Sequence, residues 1–157
     1  MITGLKPRGF TWVIANRLAV SERIGGHGFQ HRRVRREEEI NWLVREAGIT
    51  SVVTLLSGNQ NLAAYEAAGL ETHTVPIGGD LLRIDPTPLF DTLNGLLAAP
   101  EAKILVHREI IDDVVGGLLG GYLVASGLVK DPILASALIQ EILGRALGPE
   151  GRTLIKG

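Results

Sequence analysis

The sequence predicts an α/β domain with a mostly parallel central sheet flanked by helices. Short β-branched runs alternate with stretches of helical periodicity along the whole chain. The run Ile104, Leu105, Val106 is apolar throughout, as a strand covered on both faces must be. The glycine-rich segment that follows, residues 114–122, reads as a buried helix. At 157 residues the chain suits a single domain over 1–157, and 45% apolar with 21% charged content is that of a folded protein. A net charge of -1 excludes global attraction to nucleic acid or acidic membranes. The absence of cysteine excludes disulfides, thiolate metal sites and a cysteine nucleophile. The first nine residues show no basic-then-apolar leader, so a cytoplasmic location is expected. The longest uncharged run, residues 114–129, is shorter than the roughly 20 apolar residues a bilayer span needs.

Taken in order, residues 10–20 carry two β-rich runs, Thr11 to Ile14 and Leu18 to Val20, read as two short strands or a bent pair. Gly25, Gly26 and Gly28 make a loop. Arg32, Arg33, Arg35 and Arg36 then lead into Glu37, Glu38 and Glu39, which are expected in the first turn of a helix over residues 36–47 with Ile40, Leu43, Val44 and Ala47 as its apolar face. Gly48 ends it. Residues 49–56 form a β-branched core strand, 60–68 a short helix and 72–77 another strand. Asp85 and Pro86 start a helix with an apolar face of Leu89, Leu93 and Leu96. Asp131 and Pro132 start the last one in the same manner, and Gly148 with Pro149 stops it.

The chemistry concentrates between the strand ending at His107 and the helix beginning near Asp113. A strand, tight turn and helix aim unpaired N–H groups and a positive dipole end at one spot, which is the physical basis of an anion cradle. Here the turn holds Arg108, Glu109, Asp112 and Asp113. Carboxylates repel a phosphate dianion by about 1 kcal/mol per pair at 4 Å even in water. Asp112 or Asp113 at the helix start serves as a cap, worth around 1 kcal/mol over alanine. A second arrangement has one carboxylate filling the anion site from within while Arg108 pairs with it. His107 reads as a structural hydrogen-bonding group, and one histidine beside clustered acids is weak grounds for a metal, so no metal or cofactor is expected. Gly116, Gly117, Gly120 and Gly121 permit close backbone approach, in the first instance within the chain, with a homodimer as the lesser option. The four arginines are read mainly as a solvated face paired with the glutamates. Without interleaved aromatics beyond Phe29 they make a nucleic-acid partner improbable.

From about Gly9 onward the chain resembles the dual-specificity branch of the protein tyrosine phosphatase superfamily in its compact bacterial form. The resemblance rests on the strand Ile104 to His107, on Gly116 and the helix 118–128, on Trp12 to Ile14 with Leu18 and Ala19, and on the helix-to-strand step 47–55. It implies a three-layer fold and a loop built around a nucleophilic cysteine and a phosphate-gripping arginine. Those two positions fall on Arg108 and Val114, the Ser/Thr position on Val115 and the glycine inside the loop on Ile111. The general-acid aspartate falls on Gly79, with Asp80 one residue late. The expectation drawn from this is a catalytically inactive, phosphatase-like regulatory or scaffolding module that binds a protein partner, with Arg32, Arg33, Arg35 and Arg36 as a further surface. The alternative is a hydrolase or phosphoesterase whose site has been rebuilt on Asp112 or Asp113, with or without a metal.

Overall fold

In the computed structural model, residues 4–78 and 83–156 are described. Strands β1 (Thr11–Ile14) and β2 (Leu18–Ser21) form an antiparallel hairpin whose register shifts between Trp12 and Ile14, with Asn16 at φ 60° in the turn. Helix α1 (Arg33–Trp42) runs on into a wider π-type turn (Leu43–Ala47), closed by Gly48 at φ 72°. There follow β3 (Ser51–Thr54), α2 (Leu62–Ala67), β4 (Glu71–Thr74), α3 (Thr87–Leu97), β5 (Ile104–His107), α4 (Asp113–Ala125), α5 (Pro132–Leu143) and α6 (Pro149–Arg152). The strands lie in the order β1-β2-β5-β3-β4, parallel except for β1. β5 therefore sits in the middle, and all four of its residues are buried.

Each face of the sheet closes its own core. On one side Val20, Val53, Ile104 and Val106 pack with Leu89, Leu93, Leu118, Leu119 and Ile139 from α3, α4 and α5. On the other, Ala19, Val52 and Leu105 meet Ile40, Leu43 and Tyr65 from the α1 and α2 side. The alternation of β5 side chains between these two cores is the period-2 pattern of a strand covered on both faces. The predicted three layers are thus present.

Several element bounds differ from expectation for local reasons. α1 begins at Arg33, ahead of the expected position, and lines up two pairs one turn apart, Arg33 with Glu37 at 3.1 Å and Arg35 with Glu39 at 3.0 Å. The glutamates therefore occupy its middle rather than its first turn. β4 stops at Thr74, although Val75 N and Ile77 N still donate to Thr54 O and Leu55 O, so the backbone keeps following β3 as far as the site. β4 is also the sheet's edge; on it His73 Nε2 lies 2.9 Å from Glu71 Oε1. α5 ends earlier than expected, at Gly144 with φ 67°, and Gly148 with Pro149 opens α6 instead of closing α5.

α4 is the apolar centre, buried continuously from Val115 to Leu123. Its glycines serve contacts within the chain, as expected. A Cβ on Gly117 would run into the backbone oxygen of Gly151, and one on Gly121 would lie 2.7 Å from Leu154 O. Gly116 and Gly120 face the side chains of Leu147 and Ile155. Among the described residues no helix is long and apolar enough to cross a membrane.

Candidate functional site

The site grows from the register of the sheet. Thr54 and His107 are paired residues of β3 and β5, which sets Thr54 Oγ1 2.9 Å from His107 Nε2. The other ring nitrogen, Nδ1, lies 2.9 Å from Arg108 O, and that carbonyl can only accept. The proton therefore sits on Nδ1, and Nε2 accepts from the Thr54 hydroxyl, with Asn59 Nδ2 at 3.4 Å. His107 has no exposed surface, and burial pushes its pKa down to about 4. It is a neutral floor for the loop, and its one ring proton is held on Nδ1 by the Arg108 carbonyl.

Above this floor the chain turns through residues 108–112 into α4. Asp112 is the N-cap: its Oδ1 accepts from Val115 N at 3.0 Å. Its Oδ2 faces Arg108 Nη1 at 3.3 Å, and Arg108 Nη2 reaches Ile77 O, also at 3.3 Å. Both distances exceed the 2.7–2.9 Å usual for charge-assisted bonds. The Asp112 carboxylate thus sits at the N-terminus of α4 with Arg108 against it, through long contacts. Arg108 and Asp112 remain accessible, at 19% and 34% of their side-chain surface.

The other acids of the loop are committed elsewhere. Glu109 is tied at 2.7 Å to Arg23 Nη1, while Arg23 N donates to Glu109 O and Arg23 Nη2 to Gln60. Asp113, the first residue of α4, pairs with Arg145 at 3.1 Å. Val114 is half-buried and packs against the core. Asp80 lies outside the described residues. Beside the loop, Pro76, Ile77, Gly78, Ile84, Asp85 and Pro88 contribute to a cleft of about 450 Å³.

Three of the four arginines bond within their own surroundings, and Arg36 Nε is buried with no hydrogen-bond partner among the described residues. Arg32 donates to Phe29 O and His31 O, Arg33 pairs with Glu37, and Arg36 packs its Cβ against Gly25. Arg35 pairs with Glu39, whose carboxylate is only 1% exposed and also accepts from Gly25 N at 2.7 Å. Sequence reasoning missed Arg23 and Arg145. Both are single arginines whose partners lie 86 and 32 positions away, so no local pattern marks them. Among the described residues no group of three or more His, Asp or Glu side chains is arranged to hold a metal ion.

No protein-family model matches the chain. No curated protein matches it either. Solved structures do match. The core catalytic domain of the PP-IP phosphatase SIW14 from S. cerevisiae, in complex with citrate, aligns with a TM-score of 0.71 at 16% identity, covering 98% of this chain and 87% of that one. Tk-PTP in its active form aligns with a TM-score of 0.69 at 14% identity, over 94% and 92% of the two chains. A kinase associated phosphatase with its catalytic-site cysteine substituted by serine aligns at 0.68 and 17% identity, over 96% and 93%. These neighbours correct the expectation of a catalytically inactive binding module. They are phosphatases, and the lack of cysteine removes one nucleophile without demonstrating inactivity. Sheet order, layers and the strand-turn-helix at the centre together give this chain the protein tyrosine/dual-specificity phosphatase-like fold.

Proposed function

We propose that the chain is a phosphoester hydrolase whose site has been rebuilt around a carboxylate, Asp112, and a cation, Arg108. The observation that carries the reading is the slack, accessible pair between them at the N-terminus of α4, Arg108 Nη1 to Asp112 Oδ2 at 3.3 Å. A phosphoryl group offers a guanidinium two oxygens where Asp112 offers one, so it is the better partner for Arg108. Asp112 Oδ1 stays anchored on Val115 N, and Oδ2, released from Arg108, lies beside the bound phosphorus.

In the reaction that follows, Oδ2 takes a proton from water as the water oxygen bonds to phosphorus. The bond from phosphorus to the ester oxygen breaks on the opposite side, the departing oxygen takes its proton from solvent, and Asp112 returns its own proton to solvent. Arg108 neutralises charge on the transferring group, which is the usual dominant contribution in phosphoryl transfer. Asp113, held by Arg145, is a structural residue in this scheme, and neutral His107 only supports the backbone carbonyl of Arg108.

The test is release of inorganic phosphate by the pure protein from a panel of aryl, sugar, inositol and nucleotide phosphates. Turnover of at least one ester is expected, with a loss of about 100-fold in Asp112→Asn, the scale of a general base. The reading is overturned by no release from any ester, or by equal rates in the Asp112→Asn and unaltered proteins.

A further inference from the structure

We infer that Arg145 is a positioning residue for Asp112, an inference that rests on the hydrolase reading. Its guanidinium straddles the proposed base: Nη1 donates to Ile111 O at 2.6 Å and Nη2 to Asp113 Oδ1 at 3.1 Å, the residues on either side of Asp112. The fork of a guanidinium fixes two acceptors at a set separation, which a flexible ammonium does not. Arg145 thus sets the path of the chain through Asp112, and with it the direction of both carboxylate oxygens.

The arginine is itself firmly placed. Gly144, at φ 67°, ends α5 and turns the chain toward the loop. Arg145 N donates to Gln140 O at 3.1 Å, and Leu147 N to Gln140 Oε1 at 2.8 Å. Gly148 and Gly151 then let this segment lie directly on Asp113: a Cβ on Gly148 would strike Asp113 Oδ2, and one on Gly151 would come within 2.6 Å of Asp113 O. On the opposite side of the loop the short Arg23 to Glu109 pair at 2.7 Å holds its beginning. The loop is clamped at both ends by short contacts, while the Arg108 and Asp112 pair between them stays slack. Substrate can exchange with Asp112 on Arg108 without moving the backbone.

The experiment compares Arg145→Gln and Arg145→Lys with the unaltered protein by amide hydrogen exchange and by kinetics on any ester found to turn over. Exchange is expected to rise at least about tenfold at the amides of residues 112–116 in Arg145→Gln, with sheet amides unchanged. kcat is expected to fall about tenfold with KM nearly unchanged, and Arg145→Lys to lie between the two. Unchanged exchange at 112–116 overturns the inference, as does an unchanged kcat. If the unaltered protein hydrolyses no ester, the hydrolase reading has failed, and the exchange measurement alone decides whether Arg145 sets the loop.

Discussion

The loop at 108–112 and the helix it enters are neighbours in sequence, yet they are held in opposite ways. α4 is fixed by contact. Its glycines bring backbone against backbone, and nothing along its buried length from Val115 to Leu123 carries charge. The loop is fixed by charge at its ends and by a neutral hydrogen-bonded floor, and its central ion pair is long and accessible. The helix draws on the loop only for the Asp112 cap on Val115 N, and the rest of its hold is packing.

The largest effect expected from this contrast is electrostatic and comes from the floor. His107 binds a proton more weakly when folded, with its pKa pushed down to about 4 from an ordinary 6.5. The unfolded chain therefore takes up the proton first as pH falls. The stability linked to His107 is fully present above about pH 6.5 and is lost progressively down to about pH 4, a change of about 3 kcal/mol. Denaturant titrations across that range should show the slope in the unaltered protein and lack it in His107→Gln. An equal slope in both would mean that burial does not hold the histidine neutral.

The next effect lies in the helix and tells backbone contacts from side-chain contacts. Gly117→Ala meets the fixed oxygen of Gly151 and is expected to cost about 2 kcal/mol even after the helix-propensity gain of alanine. Gly116→Ala meets the flexible end of Leu147 at 2.8 Å and should be within about 1 kcal/mol of neutral. Neither difference should vary with pH. Comparable losses for the two variants in urea would show that packing along α4 is looser than the backbone contacts imply.

The smallest effects separate the two partners in the loop. Asp112→Ala removes the cap on Val115 N and should cost about 1 kcal/mol, whereas Arg108→Ala gives up only a slack, partly exposed pair and should change stability by less than that. Thermal melts of both variants would check the order. A larger loss for Arg108→Ala would make that pair a structural tie and weaken its role as an exchangeable anion grip.

Much of the scaffold was legible in the sequence because its signals are local. The apolar run before His107, the glycine spacing in α4 and the aspartate caps at Asp112 and Asp131 each state a conformation within a few residues. That Arg108 meets a carboxylate of its own loop was legible too, but which of the three acids it meets was not. The start of α1 was missed because its arginines read as a charge run, whereas Arg35 pairs with the buried Glu39 and makes the first turn. Asp85 was expected at the cap, but α3 begins at Thr87, whose N–H the Asp85 carboxylate accepts from two residues back. Arg23 and Arg145 could not be found by pattern, since what defines them is the fold that brings distant segments to the loop. The inactive reading rested on missing family residues, and absence at those positions says nothing of what Asp112 does in their place.

β4 bears on how this molecule behaves in a crowded solution. As the sheet's outer strand among the described residues, it carries one row of N–H and C=O groups that no other described strand pairs, the kind of edge that can template strand addition by another chain. The strand is only four residues long, and all four are at least partly exposed. Two of them, Glu71 and His73, place polar and charged groups along it, and beyond Thr74 the chain still follows β3 through Val75 and Ile77 to the site. A short edge strand with charged side chains is one of the ways proteins blunt edge-to-edge pairing.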